Sequence, residues 1–131
     1  MTAASDEARH LNLADLLLVA RGATGADPAV RDAGLLDSAV HRPRTTLFGE
    51  DAYPTIFEKA AALMDSLVRN HGLVDANKRT AWLAGATFIE LNGWILEAPD
   101  DGAFNLVLGI AEGRADLAET AAALESWSHP V

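Results

Sequence analysis

A nine-residue stretch of the sequence, HGLVDANKR, carries five polar side chains that could act together on a phosphate group. They are His71, Asp75, Asn77, Lys78 and Arg79. One apolar helical pattern leads up to the stretch and another leaves it, so the stretch lies at the junction of two core helices. Polar side chains at such a junction cost stability unless they serve a purpose. We therefore interpret the stretch as a phosphate-handling active site.

The chemistry of each residue supports this interpretation. The first turn of a helix offers unpaired backbone N–H groups and the positive end of a dipole to an anion. Lys78 and Arg79 add two cations at that turn, and Asn77 can donate an amide hydrogen bond. Asp75 would repel a bare phosphate, but one carboxylate with phosphate oxygens is a common way to hold Mg²⁺. His71 is then placed to take a proton from an incoming hydroxyl, as phosphoryl or nucleotidyl transfer requires.

Each of these residues also has a structural interpretation. A helical histidine such as His71 is often a hydrogen-bonding structural group, and Asp75 is a good helix N-cap. Lys78 and Arg79 could form a solvated basic turn. The site hypothesis fails only if all these explanations coincide within nine residues.

Two helices are predicted before residue 43, and an irregular segment follows them. Residues 11–19 are strongly apolar, with Asn12 or Asp15 near the helix start, and Asp32 caps a short helix that stops before Pro43.

The segment from residue 43 to residue 53 does not continue the helical pattern. Residues 45–48 favour an extended chain, and Gly49 followed by two acidic residues favours a turn. The segment is a small hairpin or flap at the surface, or else a plain loop between helices.

Four more helices complete the prediction. The helix that leads up to the site begins at Pro54 and is broken by Gly72, and the next starts between Asp75 and Lys78 and stops at residues 92–93.

The last two helices follow the site. Asp100 or Asp101 caps a fifth helix, which carries Phe104 among its apolar residues. Asp116 and Glu119 form a capping box at the start of the sixth. The fold class is therefore all-α, with about six helices and one flap-like segment.

Length and composition narrow the function classes. A chain of 131 residues fits one domain, residues 1–131, and its net charge of −9 argues against direct nucleic-acid binding. The absence of cysteine excludes disulfides and thiolate metal sites. No apolar run approaches the ~20 residues of a membrane span, and the first ten residues lack the pattern of a secretory signal. We expect a cytoplasmic protein that has no membrane partner.

The motif and its flanks resemble the Doc (death-on-curing) toxin branch of the Fic/Doc family. Three flanking segments are similar to that branch: RDAGLLDSAVHRP, YPTIFEKAAALMDSLVRNH and FIELNGW. The resemblance covers about Arg31 to Trp94 well and continues weakly to Gly113. The matching motif positions are His71, Asp75, Ala76, Asn77, Lys78, Arg79 and Thr80. It implies a compact Fic-fold helical bundle with a short flap before the motif helix.

The resemblance also implies a function. Doc-like proteins are toxins of toxin–antitoxin systems. In this branch a lysine, here Lys78, replaces the second glycine of the wider Fic motif. That lysine is associated with ATP bound in the opposite orientation, so that the γ-phosphate is transferred. The implied activity is a Mg-ATP-dependent kinase that phosphorylates a threonine of elongation factor Tu and halts translation. His71 is then the general base, Asp75 the Mg²⁺ ligand, and Asn77, Lys78 and Arg79 the contacts to the ATP phosphates.

Two protein partners are implied as well. Residues 44–50 match the flap that aligns the target segment by strand addition. The cognate antitoxin is expected to carry a disordered inhibitory segment that folds into a groove on the toxin.

Four positions depart from the family pattern. Leu73 stands in place of a core phenylalanine, and Gly72 beside it is expected to make the loop looser. Trp82 occupies the place of the second arginine of AMP-transferring relatives, and Leu83 that of an asparagine found in some Doc-like chains. The alternatives are an AMP (nucleotidyl) transferase of the Fic type, which Lys78 and Trp82 disfavour, and a catalytically silent Fic-fold binding protein.

Overall fold

Six α-helices form the body of the protein in the computed structural model, which describes residues 8–131. This agrees with the predicted all-α bundle of about six helices. The predicted lack of a secretory signal concerns mainly residues 1–7, which lie outside this range. The helices are α1 (Leu13–Thr24), α2 (Ala33–His41), α3 (Ile56–Asn70), α4 (Asn77–Leu91), α5 (Asp100–Ala111) and α6 (Leu117–Ser126).

Helix α3 lies at the centre and packs against α2, α4, α5 and α6. It is buried on most sides because its central residues are small or apolar, from Ala60 to Met64. The contact with α4 is close at Gly85, where a Cβ atom would lie 2.5 Å from the Sδ atom of Met64. The two helices that flank the motif are therefore held together by direct packing along their length.

Side-chain caps fix several helix starts. Asn12 and Asp15 form a capping box at α1, and Asp116 and Glu119 form the predicted one at α6. A glutamate three residues after the N-cap also closes a capping box at α3. Its N-cap is Thr55 and its first residue is Ile56, so the prediction that the helix begins at Pro54 was two residues too early.

The start of α5 also differs from the prediction. The N-cap is Pro99, which has no side-chain cap, and Asp100 and Asp101 lie inside the first turn. The prediction that one of them caps the helix was wrong. Their carboxylates instead lie at the positive end of the helix dipole, a favourable position for an acid.

A small hairpin precedes α3, so the flap interpretation is confirmed over the plain loop. Strand β1 (Thr46–Leu47) pairs antiparallel with β2 (Glu50–Asp51). Phe48 and Gly49 form the turn with φ angles of 53° and 81°, and a two-residue hairpin turn with both φ values positive matches the twist of its strands.

The hairpin is attached to the core through Lys59. Its side chain is 2% exposed, and the Nζ atom donates to the Asp51 carboxylate at 3.0 Å and to the Tyr53 carbonyl. A buried ammonium group is costly unless it is paired, so these contacts fix the base of the flap to α3.

A second strand pair lies beside α4. Strand β3 (Trp94–Leu96) pairs antiparallel with β4 (Ser128–Pro130), with Ile95 opposite His129. Among residues 8–131, no helix is both long and apolar enough to cross a membrane.

Candidate active site

A cavity of about 650 Å³ opens between the start of α4 and the side of α5. Its volume lies within the range of small-molecule sites. The structure brings all five predicted site residues to this cavity, where His71, Asp75, Asn77, Lys78 and Arg79 form its polar end. The local sequence pattern and the tertiary structure therefore agree on where the polar groups meet.

His71 is the C-cap of α3, and its backbone is in the left-handed region at φ 51° and ψ 52°. This conformation ends the helix, so the prediction that Gly72 breaks it was one residue late. The imidazole is exposed and has no hydrogen-bond partner in the described part of the chain. It is therefore not the structural hydrogen-bonding histidine of the alternative interpretation, and it is accessible to a substrate.

The backbone of His71 is held by Arg31. The Arg31 Nε atom donates to the His71 carbonyl at 2.6 Å, and its Nη2 atom donates to the Asn70 carbonyl at 2.9 Å. These bonds satisfy carbonyls at the end of α3 that lack intrahelical partners. Because Arg31 precedes α2, a segment forty residues earlier in the chain positions the histidine.

The loop after His71 is paired with the same segment. The Gly72 carbonyl accepts the backbone N–H groups of Arg31 at 2.8 Å and Asp32 at 2.9 Å, and the Val74 N–H donates to the Ala29 carbonyl at 2.9 Å. Leu73, 2% exposed, is buried in the core, at the position where the family pattern has phenylalanine. The expectation of a looser loop was wrong, because its backbone groups are bonded on both sides of Leu73.

Close packing around residue 72 leaves no room for a side chain larger than that of glycine. A Cβ atom there would lie 2.6 Å from the Leu36 Cδ2 atom and 3.3 Å from the Asp32 carbonyl oxygen. Leu36 is only 1% exposed, so it has little room to move.

We expect Gly72→Ala to lower the free energy of unfolding by about 2 kcal/mol, as overpacking of a core typically does. Denaturant unfolding would measure the loss. Gly22→Ala in α1 is the matched control, because a Cβ atom there meets nothing within 4 Å and alanine favours a helix. Equal stability of Gly72→Ala and the parent protein would show that the loop does not need the close approach.

The start of α4 is left without a side-chain cap. Its N-cap is Ala76, in the left-handed region at φ 61°, and Asp75 makes no cap bond. The interpretation of Asp75 as a structural N-cap was therefore wrong. Within the range that the structure describes, no side chain caps the first N–H groups of α4, and the cavity begins at this turn. An uncapped helix N-terminus is suited to bind an anion.

The residues of the first turn differ in their surroundings. The Asn77 Oδ1 atom accepts the Leu73 N–H at 3.1 Å, and its Nδ2 atom donates to the Leu73 carbonyl at 3.0 Å. Asn77 thus braces the loop and keeps one Nδ2 hydrogen for another acceptor. Arg79 donates from Nη1 to the Ala23 carbonyl at 2.9 Å, which ties α4 to the end of α1. Lys78 is exposed and forms no ion pair with any described residue.

The cavity can be tested for its fit to a metal ion. Residues 8–131 contain no group of three or more metal-ligating side chains, and Asp75 is the one carboxylate that lines the cavity. This donor set does not suit a metal held by the protein alone. It does suit Mg²⁺, which binds through one or two carboxylates together with substrate phosphates.

The other end of the cavity is apolar, and the sequence interpretation missed it. It is lined by Trp82, Ala103, Phe104, Val107 and Leu108. Phe104 was assigned to the apolar residues of its helix, yet it is 66% exposed. A signal was present in the sequence, because the apolar residues of α5 cover more than the single stripe that a core-facing helix needs.

Comparison with known proteins gives two findings. The model of the Fic/DOC family matches residues 6–89. The chain is also 47% identical over 121 residues to the protein named Toxin Doc of Mycolicibacterium smegmatis (strain ATCC 700084 / mc(2)155), an alignment that covers 91% of this chain and 93% of that protein.

Proposed function

Since this chain belongs to the Fic/Doc family, we propose that it is the toxin of a toxin–antitoxin system. Its activity is that of a Mg-ATP-dependent kinase, which phosphorylates a threonine of elongation factor Tu. The observation that carries the proposal is the uncapped first turn of α4, which opens into the cavity between an exposed histidine and an exposed carboxylate.

The polar end of the cavity supports the binding of a triphosphate. The free N–H groups of the α4 first turn and its dipole attract the phosphate oxygens, and Lys78 and Arg79 add positive charge. Arg79 has five N–H donors, of which one serves the Ala23 carbonyl, so four remain for a ligand. Asn77 can offer its remaining Nδ2 hydrogen.

His71 supplies the base for the reaction. It accepts the proton of the threonine hydroxyl as that oxygen forms a bond to the γ-phosphorus. The bond from the γ-phosphorus to the bridging oxygen breaks, and ADP leaves with that electron pair. Because the Arg31 bonds fix the backbone of His71, the imidazole is attached to a rigid position at the rim of the cavity.

Asp75 is the residue that would hold Mg²⁺ together with the phosphates. The bound ion would neutralise charge on the phosphate oxygens. Asp75 is exposed and not used as a cap, so it is available for this role.

The flap supports recognition of a protein substrate. Its strands are two residues long and exposed except for Asp51, so backbone groups of the hairpin edge can pair with an extended segment of the target. Lys59 holds the base of the hairpin while the tip at Phe48 projects into solvent.

A Doc-type toxin requires an antitoxin, and the cognate one is expected to inhibit through a disordered segment that folds on binding. The name of the mycobacterial relative, Toxin Doc, supports this role.

The test uses purified protein, Mg²⁺, bacterial elongation factor Tu and ATP labelled at either the α- or the γ-phosphate. We expect label to pass to a threonine only from the γ-position. Transfer from the α-position would overturn the kinase assignment in favour of AMP transfer and show that Lys78 does not set the nucleotide orientation. No transfer from either position, in a preparation that binds ATP, would favour another target protein or a binding-only role.

A further inference from the structure

We propose that Trp82 and Phe104 form a stacking platform for the base of the nucleotide, and that the site selects purines over pyrimidines without reading which purine is present. This inference rests on the proposed function, because the base accompanies the triphosphate bound at α4. It concerns the apolar end of the cavity, for which the transfer chemistry has no use.

The cavity matches the two ends of a nucleotide. Its polar end, at the first turn of α4, suits the phosphates, while its apolar end lies along one side of α5. A nucleoside triphosphate has the same division, with an anionic chain at one end and a flat aromatic base at the other. The two ends of the cavity are continuous, so a single ligand can contact both.

Phe104 is placed as a binding surface and not as a core residue. It is 66% exposed, although it lies in the middle of a helix whose neighbouring residue Val107 is buried. Exposed aromatic side chains at the wall of a cavity are typical of ligand sites, since ligands cover the surface that the fold leaves open.

Trp82 is held rigidly at the same wall. Its ring lies edge-on to that of Trp127, with the centroids 6.4 Å apart. Trp127 in turn packs on Gly102 of α5, where a Cβ atom would lie 2.9 Å from the Trp127 Cζ2 atom. A ring supported in this way loses little freedom when a base stacks on it, so the stacking is favourable.

The side chains at the apolar end of the cavity determine which bases the site can distinguish. Ala103, Phe104, Val107 and Leu108 have no side-chain hydrogen-bonding group, and Trp82 contributes a single indole N–H. Discrimination between adenine and guanine needs donors and acceptors matched to their edges, and this wall does not supply them. Stacking instead depends on the area of the base, which is larger for purines, and it changes affinity by roughly tenfold or more per base.

The test measures nucleotide affinity by titration calorimetry with the full chain and Mg²⁺. The ligands are the β,γ-imido analogues of ATP, GTP and CTP, and inorganic tripolyphosphate as a ligand without a base. We expect the ATP and GTP analogues to bind within a few-fold of each other and the CTP analogue to bind several-fold more weakly. Phe104→Ala should weaken binding of the ATP analogue about tenfold and leave tripolyphosphate unchanged.

Two further variants complete the design. Trp82→Leu should also weaken the ATP analogue selectively, and it should remove the quenching of tryptophan fluorescence that the analogue, but not tripolyphosphate, produces. Leu18→Ala is the matched control, because Leu18 lies on α1 outside this cavity with 67% exposure, close to that of Phe104. Its nucleotide affinities should equal those of the parent.

Unchanged affinity for the ATP analogue in both Phe104→Ala and Trp82→Leu would overturn the inference. Equal weakening of the analogue and of tripolyphosphate would also overturn it, and so would a strong preference for one purine. In these cases γ-phosphate transfer by the parent protein would still support the proposed kinase. A parent protein that binds neither tripolyphosphate nor any analogue would instead reject both proposals.

Discussion

Replacing His71 with asparagine is expected to reduce γ-phosphate transfer by about a hundred- to ten-thousandfold, the usual contribution of a general base. The choice of asparagine follows from the backbone, which is in the left-handed region at this residue. Asparagine tolerates that region better than most residues and can serve as a helix C-cap. The fold should therefore survive, and melting temperature together with the initial rate of labelled phosphate transfer would separate the two effects.

His41→Asn provides the control for this experiment. His41 is also an exposed histidine near the end of a helix, but its ring contacts the Asp37 carbonyl and does not line the cavity. Its transfer rate should match that of the parent. If His71→Asn retained a tenth or more of the parental rate while remaining folded, His71 would not be the base.

Replacing Lys59 with methionine is expected to lower the free energy of unfolding by about 2–3 kcal/mol, because a nearly buried ion pair with further hydrogen bonding is broken. Asp51 keeps some access to water, with its side chain 23% exposed, so the cost stays below that of a fully buried charge. The melting temperature should fall by roughly 10 °C. Because the flap loses its attachment, phosphorylation of a protein substrate should fall more than nucleotide affinity does.

Arg69→Met serves as the comparison for Lys59→Met. Arg69 also forms an ion pair with an aspartate, but its side chain is 49% exposed. An exposed pair of this kind contributes at most about 1 kcal/mol. If the two variants lost equal stability, or if Lys59→Met lowered nucleotide affinity and protein phosphorylation alike, Lys59 would not act as the anchor of the flap.

Local chemistry explains which parts of the structure were predictable. The capping box of Asp116 and Glu119 and the start of α1 at Asn12 depend on residues three apart, which a sequence displays directly. The hairpin depends on Phe48 and Gly49 and their immediate neighbours. The polar end of the site was predictable for the same reason, since all of its residues lie between His71 and Arg79.

Contacts between distant segments explain what the sequence could not give. The apolar wall on α5 joins Trp82 to residues about twenty positions later, so no local spacing reveals it. The loop at Gly72 is held by backbone hydrogen bonds from Arg31 and Asp32, which are tertiary contacts between distant segments. Strand β4 exists only because β3 lies beside it, more than thirty residues earlier.

The pairing of residues 29–32 with the loop at Gly72 also bears on how the site comes apart. Three backbone N–H groups, those of Arg31, Asp32 and Val74, form hydrogen bonds between these two segments. Separation of the segments therefore breaks all three bonds together and also releases the bond that holds the His71 carbonyl. These residues therefore form one cooperative unit. Its free energy of opening would set the fraction of molecules that are folded but inactive. We therefore expect the proposed transfer activity to be lost by local opening, at a lower temperature than the one at which the helices melt.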